Sequence, residues 1–118
     1  MKTILIADDS PSIRKLVETI LKTKGLKVLV AADGRQALKL AFENEIDVII
    51  ADQEMPELTG SELFKILKTD PEKRHIPRIM ISGFTVDHDK PASEFADVFI
   101  SKNTDLKSQL LAALAKLL

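Results

Sequence analysis

Apolar residues alternate between two spacings along the chain. Thr3-Ile4-Leu5-Ile6-Ala7 is a short unbroken run with branched side chains, the pattern of a strand buried on both faces. Ser10 is then a helix N-cap candidate, and Pro11 stands where a first helical residue tolerates proline. Ile13, Leu16, Val17, Ile20 and Leu21 recur at i, i+3, i+4, i+7 and i+8, which predicts one helical stripe, closed by Gly25. The same unit repeats. Strands are predicted at Lys27–Ala31, Asp47–Ala51, Arg78–Ile81 and Val98–Ile100. Asp33 opens a helix carrying Ala37, Leu38, Ala41 and Phe42, and a loop with Pro56 and Gly60 leads into one carrying Leu63, Phe64, Ile66 and Leu67. Thr104 is the expected cap of a last helix carrying Leu106, Leu110, Leu114 and Leu117. Phe84–Phe95 breaks the rhythm, because Asp87-His88-Asp89-Lys90-Pro91 is poor helix material, and at most a short helix is expected after Pro91.

Five strands alternating with helices predict a single α/β domain over residues 1–118, a doubly wound five-stranded parallel sheet. In such sheets ligands bind beyond the carboxyl ends of the strands, where the strand order reverses. Under the order 2-1-3-4-5, strands one and three are neighbours at that point. Asp8 and Asp9 follow strand one, Asp52 follows strand three, Ser82 ends strand four and Lys102 follows strand five. Each has an ordinary reading alone: acids favour the first turn of a helix, and serine and lysine are common at strand ends. Together they bring three carboxylates, a hydroxyl and an ammonium to one crest.

Three adjacent carboxylates repel one another and call for a cation. Magnesium suits a site with one or two direct carboxylates and several waters. Asp9 and Asp52 are the candidates for direct contact, with Asp8 acting through water. Calcium wants more ligands, and the histidines His75 and His88 lie elsewhere, which disfavours zinc. A carboxylate beside such an ion is a candidate nucleophile toward phosphorus. Asp52 would take the phosphoryl group, with Lys102 and Ser82 spreading its charge.

Composition narrows the classes. Lys and Arg number 17 against 18 Asp and Glu, so the charge of −1 gives no basic surplus for direct nucleic-acid binding. Aromatic residues are 4%, without Trp or Tyr, so no base-stacking platform is expected. The absence of cysteine excludes disulfides and makes a reducing cytoplasm the expected location. No signal peptide or membrane-spanning run is legible, and a monomer or weak homodimer is expected.

The whole chain resembles the receiver domain of two-component response regulators, close to the stand-alone chemotaxis type. The matching fragments are Asp8-Asp9, Asp52-Gln53-Glu54-Met55-Pro56 with Gly60 eight residues after the aspartate, Ser82-Gly83, and Phe99-Ile100-Ser101-Lys102. The resemblance implies a flavodoxin-like fold and phosphorylation of Asp52 by a histidine kinase or phosphotransfer protein. It implies magnesium held by Asp8, Asp9, Asp52 and the backbone carbonyl of Glu54. It also implies a switch in which Ser82 moves toward the phosphoryl group and Phe99 repacks inward, altering a surface read by a downstream protein. Such a domain catalyses its own phosphorylation and dephosphorylation and is no metabolic enzyme. The family usually has proline after its lysine; here Asn103 follows Lys102. A cis bond before a non-proline costs about 2.5–4 kcal/mol, so a trans bond and a shifted lysine loop are expected. Phe99 lacks the hydroxyl of the tyrosine often found at its position.

Three rival readings follow from the same residues. The first is a receiver-like interaction module that works without phosphorylation. The second, a flavodoxin-type cofactor binder, is disfavoured because two aspartates after strand one repel a flavin phosphate. The third, a dehalogenase-type phosphatase, places its nucleophile after strand one and an aspartate two residues later, whereas here Glu54 follows Asp52 at that distance.

Overall fold

The structure, a computed structural model, describes residues 1–82, 96–102 and 105–118. Its elements are β1 (Thr3–Ala7), α1 (Pro11–Lys22), β2 (Lys27–Ala31), α2 (Gly34–Glu43), β3 (Val48–Asp52), α3 (Gly60–Thr69), β4 (Arg78–Ser82), β5 (Val98–Ser101) and α4 (Leu106–Leu117). The five strands form one parallel sheet in the order β2-β1-β3-β4-β5, as the alternation predicts.

Strand periodicity divides the core in two. Ile4, Ile6, Val48, Ile50, Ile79, Ile81 and Ile100 join Val17, Ile20 and Leu21 of α1 and Leu106, Leu110 and Leu114 of α4. The intervening residues Leu5, Ala7, Ile49, Ala51 and Met80 join Ala37 and Ala41 of α2 and Leu63, Phe64 and Leu67 of α3. Helices therefore cover both faces, which explains why β1, β3 and β4 read as continuous apolar runs. The stripes have limits. Leu16 and Phe42 were expected in the core but are 47% and 45% exposed, because each lies at the edge of its helix's buried arc. The Phe42 ring instead lies 6.0 Å from the Lys73 ammonium.

Local chemistry sets the boundaries. Ser10 caps α1, with Pro11 in the first turn, and Asp33 caps α2. Gly25 has a φ of 74°, two residues past the C-cap Thr23. Thr59 and Glu62 form a reciprocal capping box on α3. The cap of α4 is Asp105, whose carboxylate accepts from Ser108 N–H, not Thr104 as expected; an aspartate one residue later offers the stronger acceptor. Asp47 lies outside β3 because its carboxylate accepts the Thr3 N–H at 2.7 Å, sealing the start of β1. Asp97 does the same for Arg78 at the start of β4, at 2.8 Å. At the other end, β3, β4 and β5 each run one residue further than expected, taking Asp52, Ser82 and Ser101 into the ladder. The short helix expected after Pro91 and the Lys102–Asn103 bond lie outside the described residues.

Gly60 shows how tightly α3 abuts the end of β3. A Cβ there would meet the Asp52 carbonyl oxygen at 2.6 Å and Met80 Sδ at 2.9 Å. A methionine tail can yield, but a backbone oxygen in a central strand cannot. Gly60→Ala should push α3 away from β3 and destabilise the domain by about 1–3 kcal/mol, as overpacking does. Thr59→Ala, which removes only a cap, should cost about 1 kcal/mol. Urea unfolding of both variants checks the order.

Candidate functional site

Asp8, Asp52 and Lys102 each lie two residues beyond an isoleucine of the same core, namely Ile6, Ile50 and Ile100. That shared parity delivers them to one end of the sheet. Asp8 is fully buried and Asp52 is only 5% exposed, while Asp9 is exposed. Carboxylate oxygens of Asp8, Asp9 and Asp52 all lie within 4.8 Å of one another. The predicted convergence of three acids is therefore present.

The lysine reaches into this cluster. Lys102 Nζ donates to Asp52 Oδ2 at 2.8 Å and stands 2.9 Å from Asp8 Oδ2. The second contact is an ion pair without hydrogen-bond alignment, and Asp8 Oδ2 is a buried oxygen with no hydrogen-bond partner among the described residues. Asp8 Oδ1 accepts the Ser10 N–H at 2.8 Å, and the Asp8 carbonyl accepts from the Arg14 guanidinium at 2.7 Å. Lys102 N–H donates to the Ser82 carbonyl at 2.8 Å, fixing the lysine's backbone past the end of β4. Ser82 is buried and pairs in register with Ser101. Its parity is that of Met80, so it belongs to the other face of the sheet from the acid–lysine row. Phe99 shares that face, half-buried against the α2/α3 core. The Glu54 side chain is exposed, and its N–H approaches Asp52 Oδ1 at 3.4 Å, which puts that peptide beside the acid. His75 is exposed and precedes β4, whereas Ser82 ends that strand; His88 lies outside the described residues.

Burial has the largest effect on the Asp52 carboxyl and raises its pKa. The Lys102 hydrogen bond pulls it down, the negative Asp8 pushes it up, and the balance stays above the ordinary 3.8. For Lys102, burial favours the neutral amine, but the Asp52 hydrogen bond and the close negative charges of Asp52 and Asp8 outweigh it and raise the pKa above 10.5. The ammonium is thus firmly charged at neutral pH.

Sequence reasoning missed two contributors. Arg14 braces the Asp8 peptide from α1. Gln53 ties the loop after Asp52 to α3, its side-chain oxygen accepting from Ser61 N–H and Ser61 hydroxyl at 2.8 and 2.9 Å. No local pattern pairs residues 53 and 61. The close approach at Gly60 was the nearest signal.

The donor set fits a hard divalent cation. It consists of carboxylate oxygens, it concentrates charge that one lysine does not balance, and Asp8 Oδ2 is a buried acceptor lacking a hydrogen bond among the described residues. A family model for the response regulator receiver domain matches residues 4–115. The chain belongs to that family. As a receiver domain it is a module of two-component signalling. Among its relatives, the polar-differentiation response regulator DivK of Brucella anthropi is 33% identical over 103 residues, covering 86% of this chain and 84% of that protein. Chemotaxis protein CheV2 of Helicobacter pylori is 36% identical over 112 residues, but the match spans 36% of that longer protein. Chemotaxis response regulator CheY4 of Vibrio cholerae superimposes with a TM-score of 0.91 at 34% identity, over 100% of this chain and 99% of that one. Response regulator TrrA of Thermotoga maritima, solved in complex with Mg2+-BeF, gives a TM-score of 0.91 at 30% identity over the full length of both chains. These neighbours share the flavodoxin-like arrangement. No helix among the described residues is long and apolar enough to cross a membrane.

The raised Asp52 pKa makes its ionised form a liability in the metal-free fold. Between pH 3.8 and the raised value the folded state holds more protons than the unfolded chain, so stability falls as pH rises through that window and stays low above it. Asp52→Asn should raise the melting temperature of the metal-free protein at neutral pH. The gain should shrink as pH falls through the window and vanish below it. Thermal unfolding in chelator across pH checks the sign.

Proposed function

We propose that Asp52 is the phosphoacceptor of this receiver domain and that magnesium is its cofactor. The observation that carries the reading is the half-buried Lys102 ammonium bridging the buried Asp8 and Asp52 beside an exposed Asp9. A buried carboxylate flanked by an ammonium and by other acids suits acceptance of a phosphoryl group in the presence of a divalent ion.

Asp9 and Asp52 would hold the ion directly, with Asp8 through water and the Glu54 backbone carbonyl completing the protein's share. When bound, magnesium neutralises charge on the phosphoryl oxygens. The donor is a phosphohistidine on a kinase or phosphotransfer protein. An Asp52 carboxylate oxygen attacks phosphorus, the O–P bond forms, the P–N bond breaks, and the departing imidazole takes up a proton. Lys102 stays charged and swings from the Asp52 oxygen to a phosphoryl oxygen. The Ser82 hydroxyl donates to another, and Phe99 moves into the space behind it. In hydrolysis water attacks phosphorus, the Asp52 O–P bond breaks, and the carboxylate is restored as inorganic phosphate leaves. The changed surface around β5 is read by a downstream protein, and the TrrA complex with Mg2+-BeF supports a common chemistry at this crest.

Acetyl phosphate with magnesium should add one phosphoryl group, and the adduct should be labile in base, as an acyl phosphate is. Asp52→Asn should abolish it, because the amide keeps the shape and loses the nucleophile. Lys102→Ala should retain part of the yield and lose the coupled change at Ser82 and Phe99. Intact-mass spectrometry reads the adduct and amide chemical shifts read the coupling. A base-stable adduct, or one surviving Asp52→Asn at full yield, overturns the assignment in favour of an interaction module with a fixed surface.

A further inference from the structure

The residue after the proposed phosphoacceptor does unusual work for a neighbouring helix. A helix begins with N–H groups that have no partner in its own ladder. In α3 the first of these, Gly60 N–H, donates to the Gln53 carbonyl at 3.0 Å. The second, Ser61 N–H, donates to the Gln53 side-chain oxygen at 2.8 Å, and the Ser61 hydroxyl adds a third bond at 2.9 Å. Only the third, Glu62 N–H, goes to the local cap Thr59. Gln53 therefore caps α3 from another element with both its main chain and its side chain.

The same residue is fixed on its other side. Gln53 N–H donates to the Ile81 carbonyl at 3.3 Å, one residue before Ser82. The Asp52 carbonyl is held where a Gly60 Cβ would collide with it. Asp52 and Glu54 flank Gln53, so fixing this peptide fixes the carboxylate and the backbone carbonyl relative to each other. We propose that Gln53 is a positioning residue of the site: its amide clamp on Ser61 holds the Asp52–Glu54 loop in the metal-receiving geometry. The inference rests on the reading of Asp52 and Glu54 given above.

Outer groups that orient metal ligands typically change affinity by about 10- to 100-fold when removed. Gln53→Met keeps the side chain's length and removes the acceptor. Two-dimensional NMR titration with magnesium alone should show binding weakened about 10-fold. In the metal-free protein, amide exchange at Ser61 should accelerate. Ser61→Ala should act in the same direction more weakly, because the backbone N–H remains. The double variant should be no worse than Gln53→Met alone, since both remove one interaction. Glu62→Ala is the control: it strips the return arm of the Thr59 box and lowers stability, yet leaves magnesium affinity at the wild-type value. Wild-type affinity in Gln53→Met and Ser61→Ala, or an equal loss in Glu62→Ala, overturns the clamp and leaves Gln53 a helix cap only. A wild type that binds no magnesium overturns the reading of the site itself, and this inference with it.

Discussion

Negative charge gathered at the end of a sheet is the constraint around which this domain is organised. Asp8, Asp9 and Asp52 carry three formal charges within a few ångströms, and two of them are buried. Like charges held this close repel one another and weaken the fold unless a cation answers them. Lys102 supplies that cation from the far side of β4, reaching past one intervening strand to Asp52 and past two to Asp8. With the Arg14 guanidinium facing the Asp8 carbonyl rather than a carboxylate, the three carboxylates and one ammonium among these four side chains still leave a formal charge of −2. A divalent ion brings that to neutrality. The excess that destabilises the metal-free crest is thus the same excess that would draw magnesium to it.

The order of strands makes this gathering possible. Parallel strands all end on the same side, and the reversal between β1 and β3 leaves their ends without a crossing helix between them. Alternation then sorts the side chains. Asp8, Asp52 and Lys102 continue the isoleucine row under α1 and α4, whereas Ser82 and Phe99 continue the row under α2 and α3. The acid–base cluster and the proposed switch residues lie on opposite sides of the sheet and meet only at its end.

Much of this was legible in the residues themselves. Continuous apolar runs and helical stripes predict the elements and their order, because a sheet buried on both faces leaves little freedom in pattern. Asp8, Asp9, Asp52 and Lys102 were legible because parallel topology converts positions at strand ends into neighbours in space. What escaped were tertiary polar contacts. The Gln53–Ser61 clamp and the Asp47 bond to Thr3 depend on where one element's end meets another, and neither leaves a local spacing. The Asp105 cap was misassigned to Thr104 because two adjacent residues both carry good capping groups. Leu16 and Phe42 were misplaced because a stripe shows the direction of a buried arc more reliably than its width.

Unequal stiffness on the two sides of the crest bears on how a charge change at Asp52 would spread under the proposed reading. The Asp52 peptide sits in a fully buried strand, and Gln53 ties it to β4 and α3. Asp8 is pinned by Ser10, Ala31 and Arg14. By contrast, Lys102 is fixed at its backbone while its long side chain can swing, and β5 behind it is half-buried except at Ile100. A phosphoryl group adds about −2 in charge at neutral pH and seeks every nearby cation and hydroxyl. With the carboxylates held fast, the groups free to answer are the lysine side chain and the residues around the ends of β4 and β5. Under that reading, the firmer hold on β1 and β3 would direct the response toward the β5 edge, where half-buried side chains such as Phe99 lie.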